Sequence, residues 1–372
     1  MDKQSVFLLI SSSSSDADIH YLCGTKPPEA AVFLKKGKKL ILLVSEMEHN
    51  RLKRKVYPTV EVICPAELGI KPGQRFFYWI SRLLEENKCS SVFIPPYFPI
   101  GIVDQLRKEG FFVEIIKKSL CPQREIKNSD EIKAIQQSQR AAVIAMKAAF
   151  EQIASSKISK TGLLKLGNQA LTSEMVRATI NHTLLDYDCT AEETIVAGGL
   201  LSADPHERGS GLLSAGQPIV IDIFPKSGKT GYFGDITRTV CRGPAPAALK
   251  KQYLAVKAAQ AAQLKMLKTG IRAASVHKTG ADIMAARGFK TEKINGIAQG
   301  FIHGTGHGVG LEIHETPRVS PANKKALRTG HIVTIEPGLY YSEIGGVRIE
   351  DTVVITETGY KMLAPCPKQL EI

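Results

Sequence analysis

Over the first third of the chain, short apolar runs alternate with stretches whose apolar residues recur at helical spacing. Residues 6–10, 31–34, 40–44, 60–63, 92–94 and 112–116 have the length and the Val, Ile, Leu and Phe content of strands. Between them, residues 73–86 and 102–109 set their apolar side chains three and four apart, as one face of a helix requires. This alternation predicts a small α/β domain over residues 1–123. The pattern then changes. A polar connector runs from Cys121 to Lys127, and Asn128 followed by Glu131 is a helix-start signature. The helix continues through the alanine-rich residues 141–154, and a second one is expected within 171–185. Residues 194–197 and 218–223 read as strands, with 231–241 as the hairpin partner of the second. An Ala/Lys/Gln helix over 246–267 stops before Gly270, another covers 273–286, and strands at 331–336 and 346–355 follow. Residues 124–372 are thus expected to form a second domain.

One stretch obeys neither period. Ile302-His303-Gly304-Thr305-Gly306-His307-Gly308-Val309-Gly310-Leu311-Glu312-Ile313-His314-Glu315 holds three of the nine histidines, interleaved with glycines at alternate positions. Glycine at that density costs a helix about 1 kcal/mol per residue, so an extended segment that approaches another backbone or group closely is expected. Imidazoles on such a segment suggest metal or acid–base chemistry.

Composition narrows the classes. The 372 residues are 43% hydrophobic and 23% charged, ordinary for a globular protein, and the length suits two domains. A net charge of +13 invites a nucleic-acid partner. The cations are scattered, however, and no basic run is interleaved with aromatics, so a solvated basic surface is expected and nucleic acid is not. The seven cysteines are spread singly without a CxxC, which excludes a thiolate zinc knot or a disulfide framework and points to reduced thiols in the cytoplasm. The apolar core of the N-terminus, Val6 to Ile10, is too short for a leader and is expected to be the first strand. No run approaches the ~20 apolar residues of a membrane span.

Four acidic residues fall where strand patterns call for apolar side chains: Asp222 after Ile219-Val220-Ile221, Asp235 within residues 232–240, Glu336 at the end of Ile332–Ile335, and Glu350 amid residues 347–355. Burying carboxylates there is expensive unless they are paired or bind metal. Four carboxylates and one imidazole suit two divalent ions about 3.5–4 Å apart. Two competing motifs fail. Gly228-Lys229-Thr230 would be a phosphate loop only with glycine in place of Ile223, and no HExxH helix exists for a mononuclear zinc protease.

The order Asp222, Asp235, His307, Glu336, Glu350 resembles the five-ligand set of the pita-bread metallopeptidases, the family of methionine aminopeptidase, aminopeptidase P and prolidase. The surrounding motifs are similar too: Gly234-Asp235-Ile236-Thr237-Arg238-Thr239, His303-Gly304-Thr305-Gly306-His307-Gly308, His314-Glu315, Ile335-Glu336-Pro337-Gly338-Leu339-Tyr340 and Arg348-Ile349-Glu350-Asp351. The resemblance spans about residues 131–370. It implies a small N-terminal α/β domain of creatinase type followed by a pita-bread α+β catalytic domain. Asp222 would bind one ion, Asp235 and Glu350 would bridge the pair, and His307 and Glu336 would complete the other shell. A hydroxide bridging the ions would be the nucleophile. Glu336 would shuttle its proton, while His206, His303 and His314 would flank the substrate and Arg348 would orient a ligand carboxylate. Mn²⁺ is the expected ion, with Co²⁺, Zn²⁺ or Fe²⁺ as alternatives. One departure stands out: Asp222 and Asp235 are thirteen positions apart where the family has eleven. An even insertion in the turn at 225–231 keeps both carboxylates on one face.

Within the family, Ile19-His20-Tyr21-Leu22-Cys23-Gly24 and the junction at 124–132 are similar to prolidase and aminopeptidase P. They imply cleavage before proline in dipeptides or at peptide N-termini, and a homodimer whose N-terminal domain limits substrate length. A methionine aminopeptidase-like exopeptidase and a non-catalytic pita-bread binding protein are the alternatives; the complete ligand set disfavours the second.

Overall fold

The structure, a computed structural model, describes residues 5–11, 17–117 and 120–372. Met1 to Gln4 and Ser12 to Ser15, which prompted the comparison with a leader, lie outside them. The chain divides into two units, Met1–Arg124 and Glu125–Ile372.

In the first unit, β1 (Ser5–Ser11), β2 (Ala31–Lys36), β3 (Lys39–Leu43), β4 (Val60–Ile63), β5 (Ser91–Ile94) and β6 (Phe112–Ile115) form one sheet ordered β4-β3-β2-β1-β5-β6. Strands β1, β2 and β3 run antiparallel, while β3–β4, β1–β5 and β5–β6 are parallel. A parallel neighbour requires a crossover; α2 (Glu46–Lys53) supplies it before β4 and α4 (Ile100–Lys108) before β6. The central strands β1, β2 and β3 read as apolar runs because side chains on both faces are covered there, whereas β6 is largely exposed. Leu8, Leu34 and Ile41 pack with Ile80 and Leu83 of α3 (Phe76–Glu86), and Leu9, Phe33 and Leu42 pack with Ile19 of α1 (Ala17–Cys23) and Leu52 of α2. Helices α1 and α2 escape a search for periodicity for a plain reason. The first is seven residues long, and the second buries only Leu52.

The second unit opens with α5 (Ser129–Ala154), where Asn128 accepts hydrogen bonds from the N–H groups of Asp130 and Glu131 at 2.9 and 3.0 Å. It packs with α6 (Ser173–Leu185) on the sheet β7-β8-β9 formed by Ile195–Gly198, Ile219–Ile223 and Ile236–Val240. The register Asp222↔Thr237 makes β8 and β9 the expected antiparallel pair. A second sheet is ordered β11-β10-β12-β15-β16, from β10 (Gly306–Gly308), β11 (Glu315–Val319), β12 (Ile332–Ile335), β15 (Asp351–Ile355) and β16 (Tyr360–Met362). A separate hairpin joins β13 (Gly338–Tyr341) to β14 (Gly345–Arg348), and α7 (Ala247–Met266) and α8 (Ala273–Ala286) complete the unit.

The single strand expected at 346–355 is therefore two strands in different sheets, with Ile349 and Glu350 in the break. Such a break strands backbone carbonyls, and buried carbonyls need donors. The Gln260 side chain on α7 provides one, donating to Ile335 O at 2.9 Å and Ile349 O at 3.0 Å. Its neighbours Gln252 and Gln263 on the same buried face serve Leu339 O and Thr305 Oγ1.

His331, at the entry to β12, is 2% exposed; its Nδ1 accepts the Arg328 N–H at 3.1 Å, and its Nε2 has no partner. Burial, assisted by the charge of Arg328, pushes its pKa from 6.5 down to about 4. The stability carried by the neutral ring is complete above the unfolded value and is lost as pH falls through the folded one. Between about pH 7 and 4, the melting temperature of the wild type should therefore fall further than that of His331→Gln; parallel curves would refute this.

Candidate metal centre

Asp222 is the only one of the four acidic residues that sits within a strand. Asp235 immediately precedes β9, Glu336 lies between β12 and β13, and Glu350 between β14 and β15. Strand ends bring them together all the same. The register Asp222↔Thr237 sets Asp222 and Asp235 on one face, and Ile335↔Asp351 carries on to set Glu336 level with Glu350. His307 enters from β10, which pairs with β12 through Gly308↔Val333. Donor atoms of Asp235, His307 and Glu350 fall within 4.8 Å of one another, and His307 Nε2 is 3.2 Å from Glu336 Oε1 and 3.6 Å from Asp235 Oδ2.

Each side chain is held from behind. His307 Nδ1–H donates to Gly308 O at 3.1 Å, which turns Nε2 toward the carboxylates. Thr237 Oγ1–H donates to Glu350 Oε2 at 2.8 Å, and Thr334 Oγ1–H to Glu336 Oε1 at 3.2 Å. The amide of Gln139, on α5, brackets the Asp235 backbone: it accepts from Asp235 N at 2.7 Å and donates to Asp235 O at 2.8 Å. Arg348 donates to Asp222 Oδ2 at 2.7 Å, while Asp222 Oδ1 is buried without a partner.

The electrostatics ask for cations. Burial first, and then Glu350, Asp222 and Glu336, hold the Asp235 carboxyl well above its ordinary range. Burial with Glu336 and Asp222 does the same to Glu350. Burial would also raise Glu336, but the hydrogen bond and charge of His307 prevail and bring it down to about 2. Carboxylates packed this closely cannot all ionise without added positive charge. The orphan Asp222 oxygen, the inward-facing Nε2 of His307 and this repulsion fit an oxygen-rich site for divalent cations. The cluster is a metal-binding site.

The glycines of the histidine stretch let it approach a neighbouring backbone and side chain closely, as expected. A Cβ on Gly306 would lie 1.9 Å from Thr334 O in the next strand, and one on Gly310 would lie 2.4 Å from the Glu315 carboxylate. That carboxylate folds the 310–315 loop on itself by accepting Glu312 N–H at 3.2 Å, and it is locked by buried Lys127 at 2.7 Å.

The flanking histidines differ. His303 Nδ1–H donates to Gly304 O at 2.7 Å, and its Nε2 accepts from Tyr340 Oη at 3.0 Å. Tyr340 in turn accepts from Arg348 at 2.8 Å. Both ring nitrogens of His303 are thus engaged in a chain, Asp222–Arg348–Tyr340–His303. The His314 ring stands edge-on to His307 at 4.4 Å, and burial followed by His307 lowers its pKa to about 4, so it is neutral near pH 7. His206, His303, His314, Glu336, Arg348, Asp222, Asp235, His307 and Glu350 all line one cavity of about 790 Å³, together with Phe224, Ile302, Ile313 and the exposed Arg318. His20, His49 and His182, given no role above, do not line it.

Sequence reading passed over Tyr340, Thr237, Gln139 and Lys127. Tyr340 and Thr237 lie within the quoted motifs but look like ordinary strand residues, and Gln139 looks like the polar face of α5. Tyr340→Phe should keep the fold and the metal content while lowering kcat about 10–100-fold, since it removes both links between His303 and Arg348. Loss of metal on dialysis of this variant would instead make the hydroxyl part of the binding cage.

A buried carboxylate–imidazole cage at a strand junction defines a hydrolytic metal-enzyme site. Residues 133–357 match the metallopeptidase family M24, and the chain belongs to that family. It is 32% identical over 375 aligned positions to the Xaa-Pro dipeptidase of Pyrococcus horikoshii, covering 100% of this chain and 96% of that protein. The crystal structure of a prolidase from the same organism superposes with a TM-score of 0.81 at 29% identity, over 98% of this chain and 95% of that one. An X-Pro aminopeptidase from Thermotoga maritima shares the fold with a TM-score of 0.83 at 23% identity, over 99% and 97%. The architecture is a creatinase-type α/β domain followed by a pita-bread domain, and the protein is a metallo-exopeptidase.

Proposed function

We propose that the chain hydrolyses Xaa-Pro dipeptides at the bond preceding proline, with two divalent cations held by Asp222, Asp235, His307, Glu336 and Glu350. The observation that carries this reading is the cavity. Its floor is the carboxylate–imidazole cage, while Phe224, Ile302 and Ile313 offer an apolar wall to a pyrrolidine ring and Arg318 offers a cation to a substrate carboxylate. The full-length similarity to a protein named Xaa-Pro dipeptidase supports it. Bound cations would supply Lewis acidity, lowering the pKa of water and polarising the scissile carbonyl.

The chain's own residues do the remaining work. Glu336 Oε1, on the wall of the cavity beside His307, takes the proton of the attacking water and delivers it to the proline nitrogen as the bond breaks. His314, whose ring lines the cavity beside His307, donates to the developing oxyanion. His303 acts through Tyr340 and Arg348 by fixing the orientation of Asp222, and His206 closes the substrate side of the cavity. Mn²⁺ suits the oxygen-rich donor set. We further assign the protein to the cytoplasm as a homodimer whose N-terminal unit limits substrate length. Seven buried cysteines outside any disulfide support a reducing compartment, and no helix among the described residues is long and apolar enough to cross a membrane.

Hydrolysis of Ala-Pro and Gly-Pro, set beside longer Xaa-Pro peptides and Met-Ala after Mn²⁺ reconstitution, tests the reading. Turnover confined to Xaa-Pro dipeptides is expected. Cleavage of the longer chains would make it an aminopeptidase P, Met-Ala turnover alone would make it a methionine aminopeptidase, and no turnover with any divalent ion would remove the enzymatic reading.

A further inference from the structure

Among the described residues, one other group of three metal-ligating side chains comes together. His49, Cys64 and Glu67, all in the N-terminal unit, bring donor atoms within 4.8 Å of one another. Two elements build the group. Cys64 follows β4 directly and caps the 3-10 turn Pro65–Leu68, in which Glu67 stands three residues on. In that spacing the two side chains share one side of the turn: Glu67 Oε2 accepts the Cys64 N–H at 2.8 Å, and the Cys64 sulfur faces the Glu67 N–H. Strand β4 pairs in parallel with β3, up to Leu43↔Ile63, so the crossover helix α2 returns along the sheet and presents His49 to the same turn.

The spacings around the imidazole are informative. His49 Nε2 lies 3.2 Å from Val62 O and 3.5 Å from Glu67 Oε2. The first is an ordinary hydrogen bond from Nε2–H, and the second is longer than the about 2.7–2.9 Å of a charge-assisted bond. The edge of a tetrahedron of ligands about 2.0–2.1 Å from a central ion is roughly 3.3 Å. The separations of Nε2 from the carbonyl and carboxylate oxygens are close to that edge, and the Cys64 donor atom lies within 4.8 Å of those of His49 and Glu67. Access is also suitable: the Cys64 side is closed, while the Glu67 side chain is 47% exposed. Glu46, one turn before His49 on α2, hydrogen-bonds Ala66 N at 3.3 Å and adds negative charge beside the group.

We propose that His49, Cys64 and Glu67 bind one borderline-soft divalent cation, Zn²⁺ or Co²⁺, with Val62 O or a water in the fourth position. On binding, the Cys64 thiol releases its proton to solvent, and the imidazole gives up its Nε2–H bond to Val62 O and carries its proton on Nδ1, so that the Nε2 lone pair reaches the ion. Thiolate ligation separates this site from the oxygen-rich dinuclear centre, which has no sulfur donor and suits harder ions. The ion pins α2 to the turn after β4, and so acts on the N-terminal unit rather than on the reaction.

Titration of the full-length protein with Co²⁺ under reducing conditions tests the site. The wild type should develop a thiolate-to-cobalt charge-transfer band in the near ultraviolet and take up one cation per chain more than Cys64→Ser. That variant and His49→Ala should both lack the band while retaining hydrolytic activity. If the wild type shows no band, or if the band survives in Cys64→Ser, the site does not exist and His49 and Glu67 form only a surface ion pair.

Discussion

Asp235→Asn is expected to lower kcat/KM on Xaa-Pro dipeptides by at least about a thousandfold, roughly 4 kcal/mol of transition-state stabilisation. The substitution preserves shape and replaces one anionic oxygen by an amide nitrogen. Asp235 belongs to the trio whose donor atoms converge, and its backbone is bracketed by Gln139, so the side chain cannot swing away to let another group take its place. The metal-free fold should respond in the opposite direction. Glu350, Asp222 and Glu336 crowd a carboxyl that burial has already pushed well above its usual range. Neutralising it relieves that repulsion. With chelator present, the variant should therefore melt no lower than the wild type, and added Mn²⁺ should raise its melting temperature by less. Wild-type turnover in the variant, measured beside bound metal, would remove Asp235 from the ligand set.

Arg238→Met should be the most damaging substitution for stability. The guanidinium is 1% exposed and has a partner in every direction. It donates to Pro367 O, Thr237 O and Cys366 O at 2.9 Å each, to Asp351 Oδ1 at 2.7 Å, and to Glu350 O. Truncation takes a donor from four carbonyls and one of two cations from buried Asp351, whose other oxygen keeps Lys368 and Gln260, a loss of about 3–5 kcal/mol. For a unit of this size that is a fall of roughly 10 °C or more in melting temperature. Arg238→Lys cannot rescue it, because one ammonium cannot fork to five acceptors. Since Glu350 O is among those acceptors, metal affinity should fall with stability. Urea unfolding of both variants against the wild type measures the effect, and a loss under about 1 kcal/mol would contradict it.

Much of this was legible along the chain. Asn128 and Glu131 predict the start of α5 because a capping box is local chemistry, complete within four residues. The central strands of the first unit are legible because burial on both faces leaves them mostly apolar. The extra residues between Asp222 and Asp235 are absorbed in the turn, with the register Asp222↔Thr237 intact, because a strand's faces depend only on parity. Helix α2 is not legible in this way: its one buried residue makes no stripe.

The sequence alone determined which residue types carry the chemistry: carboxylates set in apolar surroundings, and histidines on a glycine-rich segment that no helix could use. Those facts concern composition and neighbours in the chain. Their division of labour was decided only in three dimensions. Residues 346–355 read as one strand, and became two because Gln260 of α7, far away in sequence, supplies the donor that lets Ile335 O and Ile349 O leave their ladders beside Glu336 and Glu350. The three histidines look equivalent in sequence, yet backbone carbonyls and Tyr340 leave one nitrogen of His307 for metal, none of His303, and the His314 ring for substrate. A hydrogen-bond partner brought from another element leaves no local pattern in the chain, so that part of the site exists only once the strands have met.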